Sequence, residues 1–357
     1  MKLFVLVLIL LVGVVFLGGP GAQAWSKEGH IMTCRIAQAL LRPGAAEAVH
    51  NLLPEYVKGD LSALCTWPDQ IRHWYKYRWT SSLHFIDTPD NACTFDYSRD
   101  CHDPHGSENR CVAGAIKNFT SQLLHYQEGT SDRKCQSKPE NCISWIGSSE
   151  FWEQRKFNGF EISTAEGNLK KEFSPPKEYN LTEALLFLSH FMGDIHQPLH
   201  VGFTSDEGGN TIQLRWFRHK SNLHHVWDRE IILTALKEMY GKDMDLFQED
   251  IQGNFTHGIW SDDMSSWEDC DDLLSCPNKF LPLFFLLLYY TRYAAESINL
   301  ACKWGYKGIT PGETLADDYF SSRFPIVAKR IAQGGVRLAM TLNTVFGEHD
   351  QEIPSPT

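Results

Sequence analysis

A His-x3-Asp spacing occurs twice in this chain, at His190 and Asp194 and again at His224 and Asp228, with His200 between the two pairs. Residues four apart on a helix lie one turn apart on the same face, so each pair can offer two donor atoms to a single ion. An isolated pair of this kind is more often a surface ion pair; its recurrence is what points to metal. His225 stands three residues before Asp228 where His224 stands four, and spacing alone leaves both open. His196 precedes His200 by four, but Pro198 argues against a continuous helix there, so His196 and His225 are read as packed or supporting histidines. His73, His102, His105, His125, His219, His257 and His349 have no partner identifiable in the sequence.

The segment leading to Asp194 shows how such a site could be built. It opens at Asn180 with Glu183 three residues on, a start like a capping box. Leu181, Ala184, Leu185, Leu188 and Met192 form one apolar stripe, and Glu183, Phe187, His190 and Asp194 lie along its neighbour. Helical periodicity also marks Ile31 to Leu41, Val112 to Tyr126, Ile231 to Tyr240 and Phe324 to Phe346. The chain therefore reads as mainly α. One short strand pair is expected around Gly208-Gly209, because Asn210 to Trp216 alternates polar and apolar side chains. Long cysteine-bearing loops, Asp87 to Cys111 and Gly129 to Ser149, separate helices. No linker or internal repeat divides the 357 residues, and a single domain over 25–346 is expected.

The first 24 residues have the parts of a secretory signal: Lys2, an apolar run from Leu3 to Leu17, a break at Gly18 to Pro20, and Ala22-Gln23-Ala24 at the cut. The run is shorter than the ~20 apolar residues of a spanning helix, so cleavage is favoured over anchoring. Cleavage would make Trp25 the first residue, five before His30, with its α-amino group available to the metal cluster. An oxidising destination fits the ten cysteines, Cys34, Cys65, Cys93, Cys101, Cys111, Cys135, Cys142, Cys270, Cys276 and Cys302. An even number reads as disulfides whose pairing the sequence does not give, and no CxxC pair suggests thiolate-bound zinc. Sequons at Asn118, Asn180 and Asn254 agree with a secretory route. Residues 347–357 are expected to form a flexible tail.

The formal net charge is −11, and loss of Lys2 makes it one unit more negative. An acidic chain is not built to neutralise duplex phosphates with its own side chains. If the substrate is a phosphodiester, the positive charge has to come mostly from bound metal.

Trp25-x4-His30, Asp69-Gln-Ile-Arg72, His84-Phe-Ile-Asp87, His190-x3-Asp194-x5-His200 and His224-x3-Asp228 together resemble the nuclease S-one / nuclease P-one family of secreted zinc enzymes, the plant bifunctional members above all. The likeness runs through Gly312 to Phe320 and Ala332 to Ala339 near the end. It implies a helical fold shared with phospholipase C, carrying a short β-hairpin, and three zinc ions per chain. Asp69, His84, His190 and Asp194 would hold the first, and His200, His224 and Asp228 the second. His30, a bridging Asp194, and the α-amino nitrogen and carbonyl oxygen of Trp25 would hold the third. A peptide-bonded nitrogen has no lone pair to give, so that third set would be complete only after processing.

The resemblance also implies the chemistry. A hydroxide bridging two zinc ions would attack phosphorus in line while another zinc stabilises the 3′ leaving oxygen, giving 5′ phosphates. Asp69 and Asp194 would act through the metals, and Arg72 would stabilise charge on the phosphate. Phe85 would stack on a nucleobase and Asp87 would hold its edge, which favours unpaired strands. The expected substrates are single-stranded DNA, RNA and 3′-nucleotides. The chain is expected to act as a monomer, with no membrane contact after processing, in the apoplast or a vacuole.

Phe280 to Arg292 departs from the family pattern and reads as an in-frame insertion, with a buried helix as the plainer alternative; its apolar part is too short to cross a bilayer. Two rival functions share part of this pattern. The zinc phospholipase C family shares the N-terminal Trp and a similar HxxxD-x5-H run, but the short Trp25-to-His30 spacing, Asp228 in place of Glu, and the Phe85/Asp87 pair stand against it. A non-catalytic zinc-binding protein could use the same ligands.

Overall fold

The computed structural model describes residues 25–126, 179–268 and 283–347, with the side chains of 268 and 283–290 outside that description. Its longer helices are α1 (Lys27–Ala39), α2 (Pro43–Leu52), α3 (Val112–Leu123), α4 (Leu181–Asp194), α5 (Ile231–Glu238), α6 (Met244–Thr256), α7 (Leu283–Leu300) and α8 (Asp317–Phe346). The mainly helical reading holds. α4 has the expected bounds, and its start is the expected cap: the Asn180 side chain accepts from the Glu183 N–H at 3.1 Å. Glu183 does not close the box, since Tyr77 donates its hydroxyl proton to it at 2.8 Å.

α4 is the central element. Every residue from Glu183 to Asp194 is buried, as expected of a helix with apolar neighbours on all sides. α3, α1 and α8 pack around it. α8 approaches α1 closely at Gly335, where a Cβ would stand 2.5 Å from Ile36 and 3.0 Å from the Thr33 carbonyl. α8 also begins earlier than its apolar periodicity suggests, with Asp317 and Asp318 in the first turn, where acidic side chains complement the helix dipole. Pro325 sits inside it.

The short hairpin exists, but its turn is not at Gly208-Gly209. β1 (Gln213–Trp216) pairs antiparallel with β2 (His219–Asn222) across Phe217 and Arg218. β3 (Thr314–Leu315) adds a parallel edge to β1. The two glycines instead precede the strand with positive φ, 63° and 87°, a conformation that only a residue without Cβ adopts at little cost. Gly208 uses it to bring its carbonyl to the site.

Disulfides Cys34–Cys65, Cys93–Cys302 and Cys101–Cys111 tie the described residues. The first joins α1 to the segment before Asp69, and the other two pin the 87–111 loop. Cys135, Cys142, Cys270 and Cys276 lie outside the described residues, as do the leader, the whole 129–149 loop and most of the tail. Of the unusual 280–292 segment, residues 283–292 form the start of α7. Among the described residues no helix is long and apolar enough to cross a membrane.

Candidate metal centre

Separate pieces of backbone deliver the candidate ligands to one interior point. α1 carries His30 and α4 carries His190 and Asp194. A short helix, Trp67–Ile71, carries Asp69 and ends at Arg72, and the 3₁₀ run Tyr75–His84 ends in His84. The 3₁₀ turn Pro198–Val201 carries His200, confirming that Pro198 breaks the helix. His224 lies in a single helical turn, Leu223–His225, and Asp228 follows in a π turn, Val226–Glu230. His30, His84, His190, Asp194, His200, His224 and Asp228 are all buried.

Their donor atoms form three groups, His30/His190/Asp194, Asp69/His84/His190 and His200/His224/Asp228, each within 4.8 Å. The last is the expected second set. The other two share His190, and Asp194 connects them: its Oδ1 is 3.3 Å from His30 Nε2, while its Oδ2 is 3.0 Å from His84 Nδ1 and 3.4 Å from His190 Nε2. His200 Nδ1 lies 3.8 Å from Asp194 Oδ1, so the sets adjoin. His30 stacks on His190 with ring centroids 3.8 Å apart, and His200 on His224 at 5.0 Å. His224 is selected over His225 because its Nε2 reaches Asp228 at 3.1 Å.

Backbone carbonyls fix which nitrogen faces inward. His190 Nδ1 donates to Cys65 at 2.8 Å, His200 Nδ1 to His84 at 2.7 Å, and His224 Nδ1 to Gly208 at 2.7 Å. A carbonyl can only accept, so each Nδ1 carries the proton and each ring turns its Nε2 to the cluster, the nitrogen a metal would take.

Electrostatics agree. Burial first, and then neighbouring imidazoles, hold His30 and His84 well below the usual histidine range. Burial lowers His190 to about 3 and His200 to about 4. The rings are therefore neutral. Burial pushes Asp194 well above the carboxylate range, with Asp69 adding to it, and raises Asp69 itself to about 6 despite the Arg72 charge. Both nitrogens of His30, Asp69 Oδ1, His84 Nε2, Asp194 Oδ1, His200 Nε2 and Asp228 Oδ2 are buried without a hydrogen-bond partner. Buried polar atoms are rarely left so. Neutral imidazoles and desolvated carboxylates converging with spare lone pairs fit a cation, and a nitrogen-rich set with carboxylates suits zinc.

Two glycines shape this cluster. A Cβ on Gly193 would stand 2.8 Å from His30 Nδ1 and 3.5 Å from Trp25 Cδ1, and one on Gly29 would stand 2.9 Å from Trp25 Cβ. Trp25 is thus buried beside His30, and the Ser26 N–H donates to the Asp228 carbonyl at 2.7 Å.

The expected substrate residues lie at the same place. Arg72 is buried with Nε 3.6 Å from Asp69 Oδ1. The strand-like segment after His84 is fastened by Ile86 N–H to the His200 carbonyl and Thr88 N–H to the Gly202 carbonyl, 2.7 and 2.9 Å. Ile86 and Thr88 are buried by this, while Phe85 and Asp87 on the alternate face are half-buried. Burial raises Asp87 to about 6. Of the sequon residues, Asn180 caps α4, Asn118 lies in α3 with its amide nitrogen buried, and Asn254 lies in α6 with that nitrogen donating to the Asp250 carbonyl.

Sequence reading missed the supports. Gln197 donates to Asp228 Oδ1 and accepts from Leu199 N–H at 2.5 Å. Arg337 donates to His196 Nε2 at 2.9 Å and Arg330 to the His196 carbonyl at 3.1 Å, holding the chain between Asp194 and His200. Glu296 accepts from both arginines, at 2.6 and 2.8 Å. A buried His196 among helical periodicities was the available signal; its partners come from 100 or more residues away.

A profile of the S1/P1 Nuclease family matches residues 25–147 and 152–347. The chain is 60% identical to Endonuclease 1 of Arabidopsis thaliana, over 96% of this chain and 93% of that protein. Endonuclease 4 of the same plant is 47% identical, over 94% and 93%. Nuclease P1 of Penicillium citrinum is 26% identical, over 90% and 98%. This chain, an enzyme that hydrolyses phosphodiester bonds, therefore belongs to the S1/P1 nuclease family.

Proposed function

We propose that the protein is a secreted, zinc-dependent endonuclease that cuts single-stranded DNA and RNA to products with 5′ phosphates and removes 3′ phosphates from nucleotides. The observation that carries the reading is the convergence of partnerless, buried lone pairs on His30, Asp69, His84, Asp194, His200 and Asp228. Three ions would be held by Asp69, His84, His190 and Asp194, by His200, His224 and Asp228, and by His30, Asp194 and the freed Trp25 terminus. Bound zinc supplies an acidified water as nucleophile and positive charge for the phosphate and leaving oxygen. Arg72 adds a charge-assisted donor to the phosphate. Phe85 offers a face to an unpaired base, and Asp87, poised near neutrality by burial, holds the base edge.

The names of the relatives favour a nucleic-acid substrate over a phospholipid or a storage role. Secretion to the apoplast or a vacuole, a monomeric state, and glycosylation among the sequons at Asn118, Asn180 and Asn254 complete the proposal. Asn254 is better placed for a glycan than Asn118, whose amide nitrogen is buried.

The test compares zinc content and single-strand cleavage for protein beginning at Trp25 and for protein with one extra residue ahead of it. Full zinc and activity only with the free terminus support the third site. Activity unaffected by the extension removes Trp25 from the ligands, and zinc without cleavage of any nucleic acid defeats the nuclease reading.

A further inference from the structure

Between the candidate ligands Asp69 and His84 the chain reads Arg72-His-Trp-Tyr-Lys-Tyr-Arg-Trp79, an alternation of cationic and aromatic residues. No acidic residue occurs from Gln70 to Ile86, although the chain as a whole carries a net charge of −11. Half of this run is structural: Tyr77 is buried against Trp67 and Phe187. The other half faces solvent. Trp74 is 56% exposed and Tyr75 92%, and they are the one sequence-adjacent pair among the large exposed apolar side chains of the described residues.

This exposure is not fraying. The Trp74 N–H donates to the Ile71 carbonyl at 2.8 Å and the Trp74 carbonyl accepts from the Tyr77 N–H at 2.9 Å, so two large rings are presented from a fixed backbone. His73 and Arg78 beside them are exposed, and Arg78 makes no hydrogen bond or ion pair among the described residues. Trp74 follows Asp69 by five residues, so chain geometry keeps it within at most about 18 Å of that ligand. A strand lying in the metal centre reaches that distance within a few nucleotides.

We infer that Trp74 and Tyr75, with His73 and Arg78, form a strand-binding subsite for single-stranded nucleic acid beyond the scissile phosphate. Every base has a π face, so stacking on fixed aromatics is tolerant of sequence, and cations beside the rings meet the backbone phosphates. The subsite therefore raises affinity for long unpaired strands and contributes little to recognition at the cut itself. The inference rests on the nuclease reading above.

The test compares kcat and KM of the zinc-loaded enzyme on an oligothymidylate of about 12 nucleotides and on a dinucleotide. In the double variant Trp74→Ala, Tyr75→Ala the preference for the long strand, as a ratio of kcat/KM, should fall by about tenfold or more, through KM. Trp74→Phe should keep most of it. Arg78→Ala should flatten the slope of log affinity against log salt by about 0.7. Tyr56→Ala, another exposed aromatic, should change neither ratio nor slope. An unchanged long-strand preference in the double variant overturns the subsite while leaving the nuclease reading intact. A wild-type enzyme that cleaves neither substrate overturns both.

Discussion

Replacing Gly193 by alanine sets a general helix rule against one local distance. Gly193 lies inside α4, where alanine is ordinarily favoured over glycine by about 0.8–1.0 kcal/mol. The added Cβ, however, would stand 2.8 Å from His30 Nδ1 and 3.1 Å from His30 Cε1, well inside the ~3.5–4.0 Å of an ordinary carbon contact. His30 has little room to yield, because its ring is buried and stacked on His190 at 3.8 Å. Overpacking of this kind costs about 1–3 kcal/mol, which outweighs the propensity gain, so a net loss of about 1 kcal/mol is expected. The same shift turns His30 Nε2 away from Asp194 Oδ1. Thermal unfolding, zinc per chain by mass spectrometry, and hydrolysis of single-stranded DNA should be measured together. Gly193→Ala should lower Tm by a few degrees, lose zinc from the His30 set and lose most activity. Gly253→Ala in α6, where a Cβ would meet nothing within 4 Å, should keep its zinc and raise stability slightly. Gly193→Ala with full zinc and a Tm at or above that of the parent would refute the reasoning.

Asp194→Ala should be the most damaging single ligand change, because its two oxygens face His30 on one side and His84 and His190 on the other; zinc content should fall by more than one ion, and wild-type turnover at full zinc would contradict it. Gln197→Ala should weaken zinc binding at the His200/His224/Asp228 set by about 10–100-fold, read by chelator competition, since Gln197 orients Asp228. Burial alone would raise the Glu296 carboxyl, but hydrogen bonds from Arg337 and the charges of Arg337 and Arg330 outweigh it and hold it well below the usual range. A carboxyl so lowered contributes stability in full above the ordinary glutamate value of 4.5 and loses it as pH falls from there through the folded value. Glu296→Gln should flatten that acid limb of a stability-against-pH curve, and an unchanged limb would remove Glu296 from the account.

Much of the site is legible without coordinates because helical spacing is local. His190 and Asp194 must share a face once α4 forms, and α4 forms from its own Asn180 cap and apolar stripe. The same locality explains why the strand pair is expected around Gly208-Gly209: those residues have turn composition, but the strands pair around Phe217, and Gly208 instead offers its carbonyl to His224 Nδ1. The supports were not legible. Arg330 and Arg337 look like surface cations of an amphipathic α8 until the carbonyl and ring of His196, more than 100 residues away, are seen to meet them. Nor does spacing decide between His224 and His225; the folded chain does, by bringing His224 Nε2 within 3.1 Å of Asp228.

The sequence by itself determined part of the elements and the donor types: that α1, α3, α4, α5 and most of α8 are helical, though not α2 or α6, which pairs of His and Asp lie one turn apart, and that Pro198 prevents a continuous helix through His200. Those follow from backbone sterics and periodicity, which act over a few residues. Only the tertiary structure decided which nitrogen each histidine turns inward, that Gly193 makes room for His30, and that Gln197, Glu296, Arg330 and Arg337 hold the ligand-bearing turn. Those depend on carbonyls and side chains brought together from distant segments, where the requirement to pair every buried polar group selects one arrangement that no local pattern encodes.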